Sequence, residues 1–250
     1  MFDSFRKKPT PATLDLEPIE AVWFDLDGTL IEVDMERFIP AYLRRLADRL
    51  APYAEPQRAL HTLRTATLAM LGETDGTRTL EELLRDQLAG RLQLPWQGYR
   101  EALAAFCRED LPELQPLVRP HPLARELVES CLAHGWQVVL ATNPIFPREV
   151  VAARLAWGDL ADLPFAPITS YENSRYCKPH SGFFHDLITQ LDLPPRACLM
   201  VGNDSCHDLA AGRVGMPTCL LTTWRIDRQP GFAADWEGGH PELLAQLRQS

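Results

Sequence analysis

The sequence predicts an α/β protein, a doubly wound parallel sheet carrying an all-helical second domain. Three observations predict it. Short, continuous apolar runs recur along the chain, and runs of about four to eight residues suit strands covered on both faces of a parallel sheet. In the second half helical patterns separate these runs, which implies crossover connections between parallel strands. Near the start one long block holds helical patterns only.

Residues 1–18, with their Pro and Thr content, are expected to form a loose leader. They have basic residues but no continuous apolar stretch of the signal-peptide kind. The first strand follows in "AVWFDLDGTL", Ala21 to Leu30, which is apolar until it stops on two acids. Four later segments read as strands: Trp136–Asn143, Phe165–Ser170, Ala197–Asp204 and Pro217–Thr223. Between them, "HPLARELVESCLAHG" places Leu123, Leu127, Val128 and Cys131 on one stripe and closes on Gly135. "FPREVVAARLAWG" and "SGFFHDLITQLDL" behave similarly, and "SCHDLAAGRVG" reads as a short helix closed by glycine. Residues 34–118 contain four helical patterns separated by Pro-containing breaks and the polar turn "GETDGTRT". This block is expected to be a helical cap domain, set into a core made of 19–33 and 119–250. Its joints are "IEVD" and "QPLVRPHP".

Bulk properties exclude several classes. A formal charge of -9 argues against a broad nucleic-acid or anionic-membrane surface. No apolar run approaches the roughly 20 residues needed to span a bilayer. Six cysteines are scattered without CxxC spacing, several in apolar runs, and read as buried free thiols. The protein is expected to be cytoplasmic, with no nucleic-acid or membrane partner. Oligomeric state is not readable from the sequence.

Ligands of open parallel sheets bind beyond the carboxyl ends of the strands. Those ends supply Asp25 and Asp27, then Thr142 and Asn143, then Asn203, Asp204 and Asp208, with Lys178 in the loop between the later strands. Asp25 and Asp27 disfavour each other's ionisation unless solvent or a positive group intervenes. Oxygen donors in this number suit a hard cation such as Mg²⁺. Lysine usage singles out Lys178: the chain has only Lys7, Lys8 and Lys178, the first two in the leader. A compact ammonium differs chemically from the guanidinium used at every other folded basic position.

"DLDGTL", "ATN", "KP" followed by "FF", and "VGND…D" resemble, in order, the four motifs of the haloacid dehalogenase-like (HAD) hydrolase superfamily. The resemblance covers nearly the whole chain after Pro18, and the helical block sits where one cap class of that family sits. It implies a Rossmann-like core and a Mg-dependent phosphatase. Asp25 would be the nucleophile that forms an aspartyl-phosphate, and Asp27 the general acid and then base. Gly28 and Thr29 would shape the loop. Thr142 and Asn143 would hold phosphoryl oxygens, and Lys178 would neutralise their charge. Mg²⁺ would be held by Asp25, the Asp27 carbonyl and Asp204, with Asp208 on the metal or one ligand removed from it.

The fourth motif has two registers. In one Asp204 is the ligand, which its charge favours; in the other Asn203 takes that place, with Asp208 five residues on. An acid at Asp208 is also what a helix dipole alone invites. His207 reads as solvated, since Mg²⁺ rarely takes imidazole. Arg78, in the polar turn, reads as a solvated arginine sooner than as a contact to a leaving group. "GGH" reads as a loop before the last helix.

The expected substrate is a small phosphorylated metabolite. A phosphomutase would share both aspartates and is the alternative. Dehalogenation by the family's pattern does not need Asp27, and phosphonate cleavage there uses a cap lysine that this block lacks. A chain keeping the fold for binding alone would be marked by loss of a motif carboxylate, and all are present.

Overall fold

The computed structural model describes residues 13–249. Its main sheet has five parallel strands: β1 (Ala21–Phe24), β4 (Gln137–Leu140), β5 (Cys198–Gly202), β6 (Thr218–Leu221) and β7 (Trp236–Gly238). They lie in the order β4-β1-β5-β6-β7. β2 (Ile31–Val33) and β3 (Val118–Pro120) form a separate antiparallel ribbon, with Glu32 opposite Arg119.

Burial on both faces explains the continuous apolar runs. Val22 and Phe24 of β1 join one core cluster, while Ala21 and Trp23 join the other. β5 splits likewise, with Leu199 and Val201 on one side and Cys198 and Met200 on the other. α5 (Ala124–Ala133), α6 (Arg148–Trp157) and α8 (His240–Gln249) cover the first face through Leu127, Val151 and Leu243. α7 (Ser181–Leu191) and a 3-10 helix at Leu209–Val214 cover the second through Phe184 and Ala210.

Four consecutive helices fill the block after β2: α1 (Met35–Arg49), α2 (Pro56–Leu71), α3 (Leu80–Leu92) and α4 (Trp96–Glu109). Local chemistry sets their starts. The Asp34 and Glu55 side chains cap α1 and α2, and Thr79 with Glu82 completes a capping box on α3. The block is seated firmly on the core. Leu80 and Glu81, in the first turn of α3, donate their N–H groups to the Ser174 and Tyr171 carbonyls, each at 2.9 Å. Phe38 and Tyr42 of α1 meet Phe146 edge to face at 5.8 and 5.1 Å between ring centroids. Tyr99 of α4 and Tyr171 share a hydroxyl contact of 3.3 Å.

Three expectations change. Phe165–Ser170 is not a full strand: only Ile168 bridges β4, opposite Leu140. The next rung would need an N–H from Pro167 to the Val138 carbonyl; proline has none, and Ala166 N takes that oxygen at 2.9 Å. β7 was not expected, its three residues being too short to register as a run. The leader does not reach residue 18, because Leu14 and Leu16 are buried and Leu14 N donates to Gln246 Oε1 of α8 at 3.1 Å. Residues 1–12, with Lys7 and Lys8, lie outside the described residues. All six cysteines are free thiols, four of them buried. Among the described residues no helix is long and apolar enough to cross a membrane.

Candidate active site

The chain leaves β1 to build one side of the sheet through β4, then returns to build the other through β5. The switch in direction falls between β1 and β5, so their carboxyl ends flank the crevice where such sheets bind ligands. Asp25 follows β1 directly, and its N–H donates to Val201 of β5 at 3.0 Å. Asn203 and Asp204 follow β5, and Thr142 and Asn143 follow β4.

Lys178 joins these ends. Its Nζ lies 2.8 Å from Asp25 Oδ1 and 2.7 Å from Asp208 Oδ1. All three side chains are buried or nearly so. Asn143 sets the lysine's height, its Oδ1 accepting the Lys178 N–H at 2.9 Å. Burial pushes the Asp25 carboxyl up to about 7; Lys178 opposes the rise, and Asp208 and Asp27 add to it. Burial alone would lower the Lys178 ammonium, but Asp208 and Asp25 hold it above the usual lysine range. A perturbed, buried carboxylate at a crevice marks a candidate functional group.

Gly28 turns the chain after Asp27 at φ +82°, a conformation few side chains adopt. A Cβ there would also stand 2.3 Å from Asn203 Nδ2. The Asn203 amide is thus packed on the first loop: Thr29 Oγ1 donates to its Oδ1 at 3.4 Å, and its Nδ2 donates to the Trp224 carbonyl at 2.6 Å.

The two registers of the fourth motif separate in space. Asp208 faces Lys178 and also accepts the Asp204 N–H at 2.9 Å. Asp204 turns elsewhere. One of its oxygens accepts the Cys206 and His207 N–H groups, and the other meets Arg228 Nε at 2.5 Å. Burial would raise Asp204, but these donors hold it below the usual carboxylate range. Each fourth-motif side chain is therefore partnered within the fold: Asp204 by a turn and an arginine, Asn203 by the first loop and Trp224, and Asp208 by Lys178 and the Asp204 N–H. His207 is half-buried against Asp204, its Nδ1 3.5 Å away. Arg78 pairs with Asp86 at the surface at 2.6 Å.

The residues fit a hard cation. Asp25 is a buried acid with more negative than positive neighbours, the situation a divalent ion relieves. Among the described residues no three His, Cys, Asp or Glu side chains cluster as a metal cage. A cation here would rely on a mixed set of carboxylate, carbonyl and water, as Mg²⁺ does. A groove of about 1090 Å³ opens beside this centre and not over it, with Ser205 and Arg228 on its wall.

Sequence reasoning missed two residues. Arg154 of α6 is fully buried, and its Nη1 lies 2.8 and 2.7 Å from the two Asp27 oxygens. Its spacing carried a signal: Val150, Val151, Arg154 and Leu155 share one face of α6, so an arginine stands on an apolar stripe. His240 is buried at the start of α8, and its Nε2 contacts the Thr29 carbonyl at 2.7 Å. It thereby steadies the first loop. Nothing in "GGH" announced that contact across 211 positions.

Acids gathered on one ammonium at a topological switch point mark a candidate active site, since their burial costs stability that packing alone would avoid. Comparison with known proteins makes the class specific. A family model for haloacid dehalogenase-like hydrolases matches residues 19–215, and the chain belongs to that family. It is 31% identical over 101 residues to haloacid dehalogenase-like hydrolase domain-containing protein 3 of Xenopus laevis, a match spanning 40% of each chain. It is 22% identical over 239 residues to the pyrophosphatase PpaX of Bacillus cereus (strain G9842), covering 93% of this chain and 99% of the relative. The fold is similar to that of a predicted phosphoglycolate phosphatase from Haemophilus somnus 129pt, with TM-score 0.56 and 20% identity over 92% of this chain and 98% of the other.

Proposed function

We propose that this protein is a Mg-dependent phosphatase that hydrolyses a small phosphorylated metabolite through an aspartyl-phosphate on Asp25. The observation that carries it is the Lys178 ammonium shared between Asp25 and Asp208 at the ends of β1 and β5. Support comes from Asp27, which dehalogenation does not need, and from relatives named as a pyrophosphatase and a phosphoglycolate phosphatase.

In the first step an Asp25 oxygen bonds to phosphorus as the bond from phosphorus to the leaving oxygen breaks, and Asp27 gives that oxygen a proton. In the second step water bonds to phosphorus, Asp27 takes its proton, and the acyl-phosphate bond breaks to free Asp25 and inorganic phosphate. Lys178 neutralises charge on Asp25 and the phosphoryl oxygens. The Thr142 hydroxyl and the Asn143 N–H orient those oxygens; the Asn143 side chain is already engaged with the Lys178 backbone. Mg²⁺ would supply the remaining positive charge, held by Asp25, the Asp27 carbonyl and a fourth-motif oxygen. That oxygen would come from Asp204, which its charge favours, or from Asn203, with Asp208 on the metal or one ligand removed from it. Residues 34–118 act as the cap that excludes water and selects the leaving group.

Phosphate release from an aryl phosphate, measured with and without Mg²⁺, tests this reading. Turnover is expected to need the metal and to vanish in Asp25→Asn. In Asp27→Asn it is expected to fall by about 10²–10⁴-fold. Turnover independent of metal, or retained in Asp25→Asn, overturns it. Conversion of a sugar phosphate to its isomer without phosphate release would mark a phosphomutase instead.

A further inference from the structure

Arg154 carries buried hydrogen-bonding capacity that the fold leaves unused. It is fully buried, and only Nη1 is spent, on Asp27. Its Nε and Nη2 are buried and have no hydrogen-bond acceptor among the described residues. A guanidinium stays charged at every relevant pH, so two buried donors without acceptors carry a real cost.

The identity of those two atoms matters. Nε and Nη2 form the edge whose N–H bonds run parallel, the fork that fits both oxygens of a carboxylate or phosphate. This chain uses the same fork that way elsewhere. Arg49 presents Nε and Nη2 to the two oxygens of Asp110 at 2.5 and 3.0 Å. Arg175 presents them to Asp186 at 3.0 and 2.5 Å.

The surroundings fix where a partner would come from. The guanidinium lies over the Phe146 ring of the core at 4.4 Å and near the Phe38 ring of α1 at 5.7 Å. It therefore sits in the seam between the helical block and the sheet, with the Asp27 carboxylate against its opposite nitrogen. Aromatic faces favour a cation in this position and keep water from it. On the proposed mechanism Asp27 serves the leaving oxygen, so the fork belongs to the leaving-group side of the centre.

We propose that the Arg154 Nε/Nη2 fork binds a second anionic group on the leaving-group side of the substrate, a carboxylate or a second phosphoryl, and so determines specificity. The proposal rests on the phosphatase reading for the placing of the leaving group.

The test uses non-hydrolysable ligands on the full chain with Mg²⁺, followed by calorimetry. Methylphosphonate carries one anionic group, phosphonoacetate adds a carboxylate, and methylenediphosphonate adds a second phosphoryl. The wild type is expected to bind the better of the last two about 10- to 100-fold tighter than methylphosphonate, and which one wins distinguishes the sources. Arg154→Met is expected to abolish that preference. Arg154→Lys, which keeps the charge without the fork, is expected to retain only part of it.

A wild-type preference under about threefold, or one retained in Arg154→Met, overturns the proposal. Should Arg154→Met fail to fold, the wild-type ratio and Arg154→Lys decide. Aryl phosphate turnover is measured on the same samples. Turnover without ligand preference removes the Arg154 assignment alone, and preference without turnover removes the phosphatase reading alone.

Discussion

Lys178→Met removes one ammonium from between two carboxylates. The lysine side chain is 2% exposed, and its Asp25 and Asp208 partners are 11% and 1% exposed. Methionine fills a similar volume but leaves both acids facing each other without a counter-charge. Breaking a buried pair from one side costs about 3–5 kcal/mol. At about 2–4 °C per kcal/mol for a chain of this length, the melting temperature falls by roughly 6–20 °C.

The loss depends on pH in a fixed direction. Asp25 is at about 7 with Lys178 lowering it, against an ordinary value of 3.8, so removing Lys178 raises it further. A carboxyl raised in the folded state contributes stability that is full below its unfolded value and is lost as pH climbs through the folded one. The variant's loss therefore continues above pH 7, and its deficit against the wild type is larger at pH 8.5 than at pH 5.5. Urea unfolding followed by circular dichroism at both pH values measures the difference. A deficit below about 1 kcal/mol at pH 8.5, or equal deficits at both, would refute the view that Lys178 balances two buried acids.

Three further outcomes follow from the same geometry. Gly28→Ala is expected to cost at least about 1–2 kcal/mol, since it adds strain at φ +82° to a clash with Asn203, and to lower phosphate release together with melting temperature. Thr79→Ala removes half of the α3 capping box and is expected to cost about 1 kcal/mol in chemical denaturation, with the aryl phosphate rate within about twofold of wild type. Asp204→Ala and Asn203→Ala separate the fourth-motif registers. Asp204→Ala is expected to lower melting temperature by freeing the Arg228 loop and to raise the Mg²⁺ concentration for half-maximal activity about tenfold or more. Asn203→Ala is expected to leave that concentration within about threefold, and the reverse pattern would move the ligand to Asn203.

Features set within a few residues were readable along the chain. The apolar runs of β1, β4, β5 and β6, and the four helices between 34 and 118, follow from patterns that depend on near neighbours. So do the caps at Asp34 and Thr79, where a side chain reaches its own helix N-terminus. The order of the strand-end residues, with the family resemblance they carry, was enough to select Asp25, Asp27, Lys178 and Asp208 as candidates. Tertiary structure decided how those groups are paired. Lys178 meets Asp25 across 153 positions, and Arg154 meets Asp27 across 127. Asn203 and Asp204 are adjacent, yet the chain after β5 turns the Asn203 amide onto Gly28 and the Trp224 carbonyl and the Asp204 carboxylate onto Arg228, 24 residues on. No local pattern encodes such partners, because a side chain's acceptor depends on which strands and helices pack beside it, and that packing is a property of the whole fold.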